Sequence, residues 1–284
     1  PISVRPRLTM NGDGVNYKDI FDLLSQLNLS VYTPLAFVFP SRLKKYVDVK
    51  ESTAMKSGRE QGIQRLMSIN LLKRMESSVH AFALTLNRVH DYLANISQQI
   101  ELFNQTSLER AKANIYDMSI SDSDFDDDDK NTDFFTVGKN IEISLEDMDY
   151  ITWKREIDAD LEILEEIQRL TQPITPSNDY KLNQLLDVIR NKTANPINHG
   201  KKKILIFTAF SDTANYLYEH ISKIAREELG VHAALVTGSV EGKCTIPGVK
   251  ADMNRVLTYF SPQSKGRDTI YPGDNQEADI LIAT

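Results

Sequence analysis

The longest hydrophobic pattern in the chain lies between residues 63 and 103. Leu72, Met75, Val79, Phe82, Leu86, Val89, Leu93, Ile96, Ile100 and Phe103 recur at alternating steps of three and four, with neither Pro nor Gly between Ile63 and Phe103. That spacing predicts one helix from Gly58 to about Gln105 carrying a heptad seam. At 1.5 Å per residue it would run roughly 60 Å and would need a partner to cover the seam. Ile157, Leu161, Leu164 and Ile167 supply a second apolar face within 151–170, while Asp158, Asp160, Glu162, Glu165 and Glu166 fall mostly off it. The expected arrangement is an antiparallel helical hairpin protruding from an α/β part, with an ordinary bundle as the alternative.

A different pattern governs the C-terminal third. Lys201-Lys202-Lys203 leads into Ile204-Leu205-Ile206-Phe207, a short and wholly apolar run. Such a run predicts a strand buried on both faces, as in parallel α/β sheets. A helix follows, with Ser211 as its expected N-cap and an apolar stripe of Ala214, Leu217, Tyr218 and Ile221. Further strands are expected at Ala233–Val236 and at Ile280–Thr284, with a helix at Met253–Phe260 between them. Strand, helix, strand, helix, strand at this spacing predicts a parallel sheet with right-handed crossovers. Ligands of such sheets bind at the carboxyl ends of the strands. Those ends are Thr208, Thr237-Gly238 with Ser239, and Thr284.

Earlier segments read as mixed α/β. Tyr17–Leu27 has helical spacing, and Leu35–Phe39 reads as a buried strand closed by Pro40. Tyr180–Arg190 reads as a short helix, followed by a polar linker to Gly200. Three regions result: a mixed α/β segment over 1–50, a helical insertion over 51–178 with an acidic loop at 106–148, and an α/β lobe over 179–284.

Charge changes this picture in one place. The chain of 284 residues carries a formal net charge of −7, which argues against a general nucleic-acid binder. Residues 121–130 alone hold six aspartates against one lysine, so the remainder is close to neutral. Runs of like charge repel and bury nothing, so a solvated loop is expected there rather than a regulatory tail or a nucleic-acid mimic. The single cysteine, Cys244, excludes an internal disulfide framework and fits a reducing cytoplasmic setting. No apolar run approaches a membrane span. The chain opens on proline, as a processed piece of a longer protein would.

Candidate chemistry is sparse. Glycine-lysine pairs include Gly138-Lys139 and Gly242-Lys243. The second follows Gly238-Ser-Val-Glu with one residue too few for a phosphate loop, and Cys244 stands where a magnesium-holding Ser or Thr belongs. No acidic box follows an apolar strand. His80, His90, His199, His220 and His232 lack ligand spacing, and no Gly-x-Ser-x-Gly elbow occurs. Metal and covalent catalysis have no support. What remains are strand-end hydroxyls and amides at Thr208, Thr237, Gly238, Ser239 and Thr284. Groups of this kind satisfy the phosphate oxygens of a nucleic-acid backbone without reading bases.

The run KILIFTAFSDTANYLYEHI, then LVTGS, RVLTYFSP and ADILIAT, resembles the second RecA-like lobe of superfamily 2 helicases, nearest to the Swi/Snf-type DNA-dependent ATPases. Lys203–Phe210 is similar to that family's fourth motif, Val236–Ser239 to the segment after its second strand, and Asp279–Thr284 to the opening of its fifth. Residues 69–86, INLLKRMESSVHAFALTL, resemble the start of the helical region between the lobes in bacterial members. The resemblance covers roughly residues 60–105 and 180–284. It implies a partial RecA-like parallel sheet flanked by helices, and it adds Phe210 to the candidate DNA contacts. It further implies a parent that couples ATP hydrolysis to movement along duplex DNA, with ATP and magnesium held between this lobe and a first RecA-like lobe. The first-lobe motifs and the later arginines of the family are not in this sequence, so the chain alone is expected to bind neither cofactor and to hydrolyse nothing. Residues 1–50 would then be the tail of the first lobe. The alternative is a protein-interaction module that uses the heptad helix, with the α/β part as scaffold.

Overall fold

A computed structural model describes residues 8, 15–46, 53–105, 143–198, 200–238 and 242–284. The protein is mixed α/β, with eight α-helices and a small, mostly parallel four-stranded sheet among the described residues. These residues fall into two compact units. One comprises Val15–Met75 and Phe82–Pro173; the other includes Glu76–Ala81 and Ile174–Thr284. The acidic run at 121–130 lies outside the described residues.

The first unit is helical. Helix α1 spans Tyr17–Leu24, α2 Thr53–Ser77, α3 Val79–Gln105 and α4 Tyr150–Thr171. Asn16 closes a capping box on α1, accepting from Lys18 and Asp19 N–H while the Asp19 carboxylate accepts from Asn16 N–H. The seam positions Phe82, Leu86, Val89, Leu93, Ile96 and Ile100 are all buried, as are Ile157, Leu164 and Ile167 of α4. Helices α3 and α4 run antiparallel: Asn87 meets Gln168, Ser97 meets Asp158, and Glu101 meets Lys154. Trp153 is fully buried and donates its indole N–H to Ser30 O at 3.1 Å.

Three expectations need correction here. The predicted single helix is broken at Ser78, because two serine hydroxyls find partners outside the helix, as described below. Leu35–Phe39 is not a strand: Pro34–Phe37 forms a 3-10 turn, and only Val38 makes a bridge, antiparallel to Met148. Proline at the first position presets that turn and removes a donor a strand would need. Asp160, placed off the apolar face by the sequence, is 1% exposed.

Asp147 anchors the start of the α4 region. Its carboxylate accepts from Lys45 Nζ at 2.9 Å and Tyr46 O–H at 2.7 Å, and Arg42 Nε lies 3.3 Å away. The Lys45 and Tyr46 hydrogen bonds hold the carboxyl below its ordinary value of 3.8, against the effect of burial. A lowered folded value stabilises above that ordinary value and is lost as pH falls through the folded one. Asp147→Asn is expected to cost about 1–2 kcal/mol at neutral pH. Urea unfolding of both proteins checks it: the gap between midpoints should narrow from about pH 7 to about pH 3, and a gap that stays constant would refute the assignment.

The second unit is the α/β lobe. Its elements are α5 (Tyr180–Ala194), β1 (Ile204–Phe207), α6 (Ser211–Glu227), β2 (His232–Val236), β3 (Lys243–Cys244), α7 (Met253–Phe260), α8 (Arg267–Ile270) and β4 (Ala278–Ala283). The strand order is β1-β4-β2-β3. Strand β4 lies parallel between β1 and β2, while β3 turns back antiparallel on β2. One face of the sheet, with Ile204, Ile206, Ala233, Leu235, Ile280 and Ile282, packs on α5 and α6. The other face, with Ala234, Ala278 and Leu281, packs on Ile246 and on Val256 and Tyr259 of α7.

Strand β1 departs from expectation. Leu205 is 49% and Phe207 72% exposed, so the strand is not buried on both faces. The strand order explains this: β1 pairs with β4 alone among the described residues, which makes it an edge strand with one covered face. The N-cap of α6 also moves by one residue, from Ser211 to Phe210, whose side chain makes no capping hydrogen bond.

Candidate nucleic-acid interface

The three parallel strands end level with one another. Phe207 pairs with Ala283, and Ala283 with Val236. The residues immediately beyond continue the alignment through the backbone: Thr208 N–H donates to Ala283 O at 3.0 Å, and Thr284 N–H to Val236 O at 3.3 Å. Thr208, Thr237 and Thr284 therefore stand side by side along the carboxyl edge of the sheet, with Thr208 and Thr237 half-buried and Thr284 exposed. Gly238 is exposed beside Thr237, while Ser239 lies outside the described residues. Strand propensity places each threonine at a strand end, but the register of β4 between β1 and β2 is what brings them onto one edge.

Phe210 is the exception in this set. It is 4% exposed, and its carbonyl accepts from Ala214 N–H in the first turn of α6. A buried ring cannot stack on a base; the Phe210 N–H donates to Thr208 Oγ1 at 3.5 Å.

Two residues of this edge had no signal in the heptad pattern. Ser77 Oγ lies 2.9 Å from Thr213 Oγ1 and 3.4 Å from Thr208 Oγ1. Ser78 Oγ lies 3.0 Å from Thr213 Oγ1 and accepts from Ala81 N–H at 3.0 Å, which makes it the cap of α3. Lys181 Nζ donates to the carbonyls of Glu76 and Ser77 at 2.5 and 3.0 Å, a cation on the C-terminal end of α2. The adjacent pair Ser77-Ser78 inside an otherwise unbroken helical pattern was the available sequence signal.

The lysines that lead into β1 sit at the opposite end of the sheet. Lys203 Nζ is 2.8 Å from Glu277 and 2.8 Å from Ala278 O. Burial works against the charge on Glu277, but the Lys203 ammonium and the nearby Lys201 and Arg267 hold that carboxyl below its ordinary value. This cluster ties the start of β1 to β4 and is no part of the threonine edge.

Gly242-Lys243 opens β3, whereas a phosphate loop opens a helix. The Lys243 ammonium donates to Asn215 Oδ1 at 2.9 Å and lies over the Tyr218 ring. Among the described residues no group of three His, Cys, Asp or Glu could hold a metal ion. Of the described histidines, His80 and His220 pack on the Tyr216 ring, His90 lies beside Asp91 and Glu165, and His232 beside Thr245. Tyr216 donates to Asp179, the N-cap of α5, and burial pushes its phenol well up. Burial likewise raises the Cys244 thiol. No described helix is long and apolar enough to cross a membrane.

Compared with protein-family models, with curated proteins and with solved structures, the chain finds no match.

Proposed function

We propose that this chain is the interlobe helical region and part of the second RecA-like lobe of a Swi/Snf-type, DNA-dependent ATPase of superfamily 2. Its own contribution is contact with the backbone of duplex DNA through Thr208, Thr237, Gly238 and Thr284. The observation that carries the reading is the level ending of three parallel strands with a threonine at each end. Hydroxyl and amide donors in a row suit successive acceptors on a phosphodiester chain and carry no base preference. In the intact parent, a first RecA-like lobe would bring ATP and magnesium, and a cytoplasmic location goes with this reading.

The competing reading needs a free heptad seam for a protein partner. The burial of the seam residues from Phe82 to Ile100 within the chain's own helical unit favours the first reading over it.

DNA-stimulated ATP hydrolysis by the intact parent tests the proposal. Thr284→Ala is expected to lower the stimulated rate about tenfold, the worth of one hydrogen bond to a charged acceptor. The 284-residue chain alone should hydrolyse nothing. A parent inactive with every nucleic acid tried would end the proposal, and an unaffected Thr284→Ala parent would remove the threonine edge from it.

A further inference from the structure

We infer that Ser77 is a fourth hydroxyl donor to the DNA backbone on this edge, aimed by a chain of buried hydroxyls through Thr213 and Ser78. The inference rests on the reading of the strand ends as a phosphate-contact edge.

The hydroxyls form a continuous chain that starts from one fixed donor. Ala81 N–H, in the first turn of α3, donates to Ser78 Oγ at 3.0 Å. Ser78 Oγ lies 3.0 Å from Thr213 Oγ1, and Thr213 Oγ1 lies 2.9 Å from Ser77 Oγ; either atom of each pair can donate, and the inferred sense is outward, from Ser78 to Thr213 to Ser77. Ser78 and Thr213 are buried, so neither has water as a partner of convenience. Ser77 is half-buried and stands at the open end. Thr208 Oγ1 lies 3.4 Å from Ser77 Oγ, a distance too long for a strong hydroxyl bond. A phosphate oxygen seated between Ser77 and Thr208 would take the Ser77 proton in a shorter, charge-assisted bond. Each donor in such a chain polarises the next, and here the chain begins at a helix N-terminus, where the positive end of the helix dipole adds to the effect.

The break at Ser78 acquires a purpose in this scheme. An unbroken helix would satisfy the backbone of residues 76–81 internally and leave no capping serine. Ending α2 at Ser77 frees carbonyls, which Lys181 satisfies, and presents the Ser77 hydroxyl to the strand ends. A residue 131 positions from Thr208 thus joins the same edge.

The test is binding of the 284-residue chain to a fluorescent duplex oligonucleotide across a salt series, with thermal melting as the control for folding. Ser77→Ala should weaken binding about five- to tenfold, and Ser77→Thr should restore it. The slope of log affinity on log salt should not change, because a neutral hydroxyl releases no counterion. Thr213→Val breaks the chain without touching DNA and should weaken binding in the same direction. The double variant should bind no worse than Ser77→Ala, since two members of one chain are not additive. If the wild-type chain binds and Thr208→Ala weakens it while Ser77→Ala does not, the inference fails and the strand-end reading stands. Additive losses in the double variant would overturn the hydroxyl chain. A wild-type chain that binds no duplex even at low salt would end both.

Discussion

Asp160→Ala is expected to destabilise the helical unit by about 3–5 kcal/mol, the largest effect of any substitution considered. Asp160 lies in the middle of α4, yet its carboxylate serves the loop at residues 28–30. Asn28 N–H donates to Oδ1 at 2.7 Å, and the N–H groups of Leu29 and Ser30 also bear on it. Leu29 takes a left-handed backbone conformation, with φ of 49°, which turns these amides toward one point. Alanine would strand buried donors and leave a void where the side chain stood. Asp160→Asn keeps an acceptor of the same shape, so it should cost under about 1.5 kcal/mol. Chemical denaturation of the three proteins separates the cases. Equal losses in both variants would show that charge, and not the acceptor, holds the loop.

The pH response at Asp160 runs opposite to that at Asp147. Burial pushes the Asp160 carboxyl above its ordinary value, against the pull of the backbone amides. A raised folded value means that folding favours the protonated acid. Stability from this site is therefore present at low pH and lost as pH rises through the folded value. Asp147 loses its contribution as pH falls.

Gly242→Ala should cost about 3 kcal/mol and displace β3 from β2. A Cβ at Gly242 would overlap the carbonyl oxygen of Ala251 and lie 3.1 Å from that of Leu235. Both obstacles are backbone. Leu235 is held in β2, where it pairs with both Lys243 and Ile282. Relief therefore requires moving a strand or the loop before α7. Hydrogen exchange resolves the outcome. Amides of Lys243 and Thr245 should lose protection in the variant, while α5 keeps its own. Unchanged protection at Thr245, whose N–H donates to Ala233 O, would show that the loop absorbs the methyl group without cost.

Much of the secondary structure was legible because it rests on local pattern. The seam residues of α3, the apolar face of α4, the stripe of α6 and the apolar runs of β1, β2 and β4 are periodicities of side chains, and the sequence displays those directly. Strand ends at Thr208, Thr237 and Thr284 were legible for the same reason. Departures came where a side chain chose a distant partner. Ser77 and Ser78 end a helix because Thr213 lies within hydrogen-bond reach, and no local rule records that. Asp160 is buried because an amide-rich turn from residue 28 onward meets it, although its spacing placed it on a polar face. The exposure of Leu205 and Phe207 follows from strand order, since an apolar run reads alike whether it lies at the centre or the edge of a sheet.

The sequence by itself determined most of the helices and the three parallel strands, that the α/β lobe is a mostly parallel design, and that hydroxyl residues close those strands. Tertiary structure alone decided that β4 inserts between β1 and β2, that three threonines share one edge, and that Ser77 joins them. Periodicity is a property of neighbours in the chain, whereas strand order and hydroxyl partners are set by which surfaces meet when those elements pack.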